Sequence, residues 1–238
     1  MKNSIIKKLL CLIMSFCFCV FATACSFTGM NNNENQEAVA QKDEVVSETT
    51  KDDELEKFKN MTSEEIRTQI FAPAETLFSK FDSTTLMCES ETIEVNGNIY
   101  NAVSPTQADL DETVNFSSYE AFKNYTKTIF SEEFTNRLFD EYERYINFNG
   151  KVYAILADRG GNLFYLSHTY AVTKTEKDKI EYTVYAKFIK EEYWDMYDSG
   201  TWAKEEDIPA YALETEEYIY PREKINGRWV FTDFCAIF

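Results

Sequence analysis

Histidine, glycine, proline and positive charge are all scarce in this 238-residue sequence, which has one His, seven Gly, four Pro and 24 Lys plus Arg against 41 Asp plus Glu. A single histidine, His168, cannot build a zinc site without carboxylates at unpatterned spacings, so no metal or other cofactor is expected. It also leaves a nucleophilic Ser or Cys only one candidate base, and no Gly-x-Ser-x-Gly elbow is present. The few glycines form no phosphate-cradling loop. With a formal net charge of -17 the surface repels a phosphate backbone, which excludes nucleic-acid binding through a broad basic face. Little Gly and Pro beside 19 Phe, 15 Tyr and 3 Trp excludes a low-complexity chain and supplies apolar area for a packed core. The length suits one substantial domain, and no internal repeat is evident.

The N-terminus is basic at Lys2, Lys7 and Lys8, apolar over residues 9–21, and closes on Ala22-Thr23-Ala24-Cys25. This is the layout of a bacterial secretory signal, and its apolar run is shorter than the roughly 20 residues a membrane span needs. The small residues before the cysteine resemble a lipobox. That resemblance implies cleavage before Cys25, diacylation of Cys25 (palmitate among the acyl chains) and an extracytoplasmic protein anchored to the outer face of the cell membrane. Losing three lysines and no acid takes the charge from -17 to -20. Residues 25–61 read as a disordered acidic tether, and about 35 such residues hold a domain on the order of 30 to 35 Å from the lipid. Of the six cysteines, Cys11, Cys17 and Cys19 leave with the leader and Cys25 takes the lipid. Cys88 and Cys235 remain, either as two buried thiols or as one bridge closing a long loop.

The folded part, residues 62–238, opens with a capping box, Thr62 with Glu65. Ile66, Ile70, Ala74, Leu77, Phe78 and Phe81 follow at helical spacing, with Pro73 expected to kink the helix or start a second one. Residues 84–95 look extended, and Asn96-Gly97 signals a hairpin. Ser117 with Glu120 predicts a helix carrying Phe122, Tyr125, Ile129 and Phe130, and Ser131 a further one carrying Phe134, Leu138, Tyr142 and Tyr145. The remainder reads as strands at 151–157, 163–173, 180–191, 211–225 and 228–238, the last pair joined by Asn226-Gly227. Helices first and strands later predict a single-domain α+β fold, its N-terminal helices packed on one face of a curved antiparallel sheet.

Few residues suggest chemistry. Alternation puts His168 beside Leu166 and Tyr170 as a sheet residue, and pairing with Cys88 would need a proximity that no motif specifies. The acidic runs Asp109/Asp111/Glu112 and Glu205/Glu206/Asp207 lack an EF-hand layout. Asp158-Arg159-Gly160-Gly161-Asn162 joins two apolar segments and holds two of the seven glycines. Positive φ and an exposed tip are expected there, as a hairpin loop or as a projection that enters a partner's groove.

Several stretches match one family in order and spacing: Val95-Asn96-Gly97-Asn98-Ile99-Tyr100-Asn101-Ala102-Val103-Ser104, Tyr125-Thr126-Lys127-Thr128-Ile129-Phe130-Ser131, Tyr145-Ile146-Asn147-Phe148-Asn149-Gly150-Lys151, Ala157-Asp158-Arg159-Gly160-Gly161 and Asn226-Gly227-Arg228-Trp229-Val230. Over roughly residues 84–238 the chain thereby resembles the IseA-type inhibitors of cell-wall DL-endopeptidases. The resemblance implies a monomeric, non-catalytic protein whose acidic cleft and loops occlude the groove of NlpC-type cysteine peptidases, with Asp158, Arg159, Gly160 and Gly161 as the partner-binding loop. The segment 193–211, with Trp194, Trp202 and Pro209, looks longer than the family's connection. The alternative expectation is a non-catalytic module whose aromatic-lined concavity holds a small molecule or a cell-wall fragment.

Overall fold

The first helix pair starts where side chains satisfy unpaired backbone donors. Thr62 Oγ1 accepts from the Glu65 N–H at 3.2 Å, and Glu65 Oε2 accepts from the Thr62 N–H at 2.8 Å, completing the capping box. Replacing Thr62 by Ala is expected to cost about 1 kcal/mol, read as a lower urea midpoint. A computed structural model describes residues 49–82, 85–141, 144–156 and 160–237. The leader, Cys25 and most of the tether lie outside the described residues.

Helix α1 (Thr49–Lys59) nevertheless falls inside the stretch read as tether. Phe58 is buried with its ring edge-on to Trp229 at 5.5 Å, and Glu54 accepts from Trp229 Nε1 at 3.0 Å and from Lys224. Its apolar stripe, Leu55, Phe58 and Met61, is too short to stand out as a period among the surrounding charges. Helix α2 (Ser63–Ile66) runs through a π turn (Arg67–Phe71) into α3 (Ala72–Asp82). Pro73 has no N–H and its ring would press on the Gln69 carbonyl; the wide turn, with the Ala72 N–H reaching Arg67 O, accommodates it. The expected break is therefore a local widening within a continuing helix.

The strands form two four-stranded antiparallel sheets rather than the one expected. The first is ordered β1 (Cys88–Val95), β2 (Asn98–Val103), β4 (Lys151–Ala154), β3 (Tyr145–Phe148). The second is a meander of β5 (Tyr165–Glu176), β6 (Lys179–Ile189), β7 (Leu213–Ile225) and β8 (Arg228–Phe231). Hydrophobic alternation is identical whichever sheet a strand joins, so the partition is invisible to pattern alone. Three hairpins turn on Asn-Gly pairs with φ of 52° and 81° at 96–97, 53° and 81° at 149–150, and 52° and 79° at 226–227. Both residues lie in the left-handed region that a two-residue hairpin matching the strand twist requires.

Helices α4 (Tyr119–Ile129) and α5 (Glu132–Glu141) are inserted between β2 and β3. The α4 cap is Ser118, whose Oγ accepts from the Ala121 N–H, while Ser117 is bound to Asn115 Oδ1 at 2.7 Å. Helix α5 ends at Glu141 and Tyr145 opens β3, so Tyr145 packs from a strand, and Tyr142 lies outside the described residues. The core joins the helices to both sheets through Leu77, Phe81, Phe122 and Phe130, Tyr145 and Val152 of the first sheet, and Tyr182 and Phe231 of the second. No helix among the described residues is long and apolar enough to cross a membrane.

Candidate functional site

The segment after β4 passes from the first sheet to the second, so it is a crossing and not the hairpin loop expected. Asp158 and Arg159 lie outside the described residues. Gly160 and Gly161 are exposed, and a Cβ at either would meet nothing within 4 Å. Neither takes the positive φ expected of it. An Asx turn orders the chain immediately beyond them: Asn162 Oδ1 accepts from the Phe164 N–H at 3.0 Å, leaving Leu163 70 % exposed.

Phe164 binds this crossing to the segment between β6 and β7. Its carbonyl accepts from the Ile189 N–H at 2.8 Å, and its ring meets Trp194 edge-on at 5.4 Å. Trp194 opens α6 (Trp194–Asp198), Tyr193 meets Tyr211 at 5.4 Å, and Lys190 Nζ donates to the Tyr211 carbonyl at 2.6 Å. Glu205 pins the far side of the segment to the sheet, accepting from Ser167 Oγ at 2.9 Å and Lys187 Nζ at 3.1 Å. Partial burial would raise this carboxyl, but those two donors outweigh it and hold Glu205 below the usual carboxylate range. Leu163, Met196 and Tyr211 stay exposed. Between 190 and 207 they are accompanied by Glu191, Glu192, Asp195, Asp198, Glu205, Glu206 and Asp207 against only Lys190 and Lys204. The lobe thus offers apolar knobs in an acidic surround.

A second constellation lies beneath the second sheet. Between Tyr165, paired with Phe188, and Ser167, paired with Lys187, β5 carries an extra residue. This bulge brings residues three apart to one face, so Tyr165 joins His168 and Tyr170. Tyr165 OH bonds His168 Nδ1, His168 Nε2 bonds Tyr170 OH at 2.6 Å, and Tyr170 OH donates to Glu75 Oε1 at 2.8 Å. Because Tyr170 gives its proton to Glu75, its oxygen accepts from Nε2–H, which assigns the tautomer. Burial, aided by nearby Arg67, pushes the His168 pKa down and keeps the ring neutral. Burial likewise raises Glu75 above the ordinary carboxylate range, against the Tyr170 hydrogen bond and Arg67.

Glu75 also lines a cavity of about 220 Å³ between α3 and the C-terminal segment, with Phe78, Asp82, Tyr220, Phe234 and Cys235 on its walls. Tyr220 OH donates to the Cys235 carbonyl at 3.0 Å. Cys235 and Cys88 are both free thiols, Cys88 half-buried and Cys235 exposed, where the sequence suggested two buried thiols or a bridge. Cys88 opens β1 in the first sheet, where burial raises its thiol pKa, and His168 belongs to the second sheet. Among the described residues no three His, Cys, Asp or Glu side chains converge as a metal-holding group, and Asp109 of the first acidic run is engaged by Lys80. Glu75 had a legible signal, an acid four residues after Phe71 and three before Phe78 on one helix face. Tyr165 had none, since its placement depends on the bulge.

Fold and sites together define an α+β protein of two antiparallel sheets, with an acidic, apolar-studded lobe and a half-buried tyrosine–histidine–carboxyl chain. A scan against protein-family models and a search of curated proteins both find no match to this chain.

Proposed function

We propose that this chain is a membrane-anchored extracytoplasmic lipoprotein, lipidated at Cys25, that inhibits or modulates NlpC-type cell-wall DL-endopeptidases by occluding their active-site groove without catalysing a reaction. One observation carries the reading: Leu163, 70 % exposed just after Gly160 and Gly161, is joined through Phe164 and Trp194 to the acidic lobe. An exposed apolar knob gives a groove something to desolvate, while the surrounding carboxylates steer a basic partner and fix register. The net charge, -17 for the full sequence and -20 without the leader's three lysines, extends that attraction over the whole molecule. Asp158 and Arg159 stand five and four residues before Leu163 in sequence and belong to the same partner-binding loop. The N-terminal helices, packed on one face of the curved second sheet, form the body behind the loop, and the protein acts as a monomer.

The test is digestion of purified cell walls by several NlpC-type endopeptidases with rising amounts of the protein. Dose-dependent inhibition is expected, weakening several-fold between about 50 and about 300 mM salt because the steering is screened. Leu163→Asp, at a position too exposed to disturb folding, is expected to weaken inhibition about tenfold. Undiminished hydrolysis at excess protein with every enzyme would overturn the proposal. The alternative, a module binding a small molecule or wall fragment, draws on the cavity beside Glu75.

A further inference from the structure

We infer that the cavity between α3 and the C-terminal segment is a binding site for a small organic ammonium ion, whose apolar body lies against Phe78 and Phe234 and whose cationic head faces Glu75. This rests on the binding-module reading and not on the inhibitory one, so an inhibition assay and the binding assay below fail separately. Size is the first support: about 220 Å³ exceeds the roughly 150 Å³ of apolar space that holds benzene. Its lining is largely apolar and aromatic, with Phe78, Tyr220, Phe234 and Ile237 supplying the walls. Aromatic walls suit a cation as well as a hydrocarbon, because ring faces attract positive charge.

The polar groups decide the sign of the ligand. Glu75 and Asp82 are carboxyls, and no lysine or arginine occurs among the described lining residues. Arg67, the nearest cation acting on Glu75, has its guanidinium committed to Glu64 by hydrogen bonds of 2.8 and 2.6 Å. An anionic ligand would be repelled by the Glu75 carboxylate, whereas an ammonium ion offsets the desolvation that half-burial imposes on it. Tyr170, backed by His168 and Tyr165, fixes the Glu75 carboxyl through Oε1, so the acceptor is oriented before a ligand arrives.

Binding is then linked to pH with a definite sign. The titratable and charged groups around Glu75 are Tyr170 and His168 on β5, Arg67 on the π turn, Tyr220 on β7, Asp82 on α3 and Cys235 on the C-terminal segment. Burial disfavours the Glu75 carboxylate and raises its pKa, whereas an ammonium ligand favours the carboxylate. Binding therefore releases a proton, and affinity rises as pH rises through the Glu75 titration.

Titration calorimetry of the purified full-length chain with benzylammonium and with benzyl alcohol tests this. Saturable benzylammonium binding at least about tenfold tighter than benzyl alcohol is expected, tightening as pH rises through the Glu75 titration. Glu75→Gln should bring the two ligands to parity. Ala236→Trp, which fills the cavity from the half-buried C-terminal segment, should abolish saturable binding of both and guards against a Glu75 variant that does not fold. Equal affinities in the unsubstituted protein, no saturation, or binding that survives Ala236→Trp would each overturn the inference.

Discussion

Replacing Phe71 by Ala is expected to remove about 4 kcal/mol of stability, in the upper part of the range for deleting a buried aromatic ring. Phe71 ends the π turn with 1 % of its surface exposed. Its ring meets one aromatic residue from every strand of the second sheet: Tyr170 at 4.6 Å, Tyr182 at 5.7 Å, Tyr220 at 5.1 Å and Phe231 at 5.4 Å. Phe234 of the C-terminal segment lies at 6.0 Å. Several of these pairs are edge-to-face, a geometry that adds about 0.5 to 1.5 kcal/mol each beyond area burial. The neighbours are large rings fixed on four different strands, so they cannot close over the space left behind, and the cavity penalty stays near its full size. With a typical stability of about 5 to 15 kcal/mol, the variant becomes marginal. At an m-value of about 2 kcal/mol per molar urea the midpoint should fall by about 2 M with its slope unchanged, whereas a fall below about 0.5 M would show that the sheet does not depend on this ring. Phe71→Leu, which keeps most of the volume, should lose less than half as much.

The same residue shows what was legible in the sequence. Phe71 lies outside the stripe of Ile66, Ile70, Ala74, Leu77, Phe78 and Phe81 that helical spacing selects, yet it packs more rings than any of them. The π turn before Pro73 rotates the chain and places Ile70 and Phe71 both inward, a shift no fixed period anticipates. By contrast, the Thr62 capping box and the hairpins at Asn96-Gly97 and Asn226-Gly227 stand where their residue types put them, because each depends only on near neighbours in sequence. Strand partners are not local in that sense: β4 and β5 are close in sequence and belong to different sheets. The candidate sites divide in the same way. Loop exposure at Gly160 and Gly161 followed from composition, whereas the Phe164–Trp194 contact and the Tyr165–His168–Tyr170–Glu75 chain required the crossing and the bulge.

Lys80 should separate the effect of breaking a buried ion pair from that of replacing it. Its side chain is 1 % exposed, and Nζ donates to both Asp109 carboxylate oxygens at 2.8 Å and to the Thr85 carbonyl at 2.9 Å. Asp109 itself is 48 % exposed. The backbone around Lys80 is held from the first sheet, because Tyr145 OH donates to the Lys80 carbonyl and Arg144 Nη1 to the Phe81 carbonyl, satisfying acceptors that the end of α3 leaves unpaired. The ammonium therefore cannot swing into water without disturbing the junction of α3, β3 and the 104–112 loop. Asp109→Ala leaves that charge with one carbonyl and is expected to cost about 3 kcal/mol, the low end for a broken buried pair because water reaches the aspartate side. Lys80→Met keeps the volume, returns Asp109 to solvent and forfeits only the Thr85 hydrogen bond, so about 1 kcal/mol is expected. The double variant should resemble Lys80→Met alone, giving a coupling of about 2 to 3 kcal/mol in a urea-unfolding cycle. Additive losses would instead mean that the lysine is held by its apolar stem and the Thr85 carbonyl, with Asp109 a bystander at the surface.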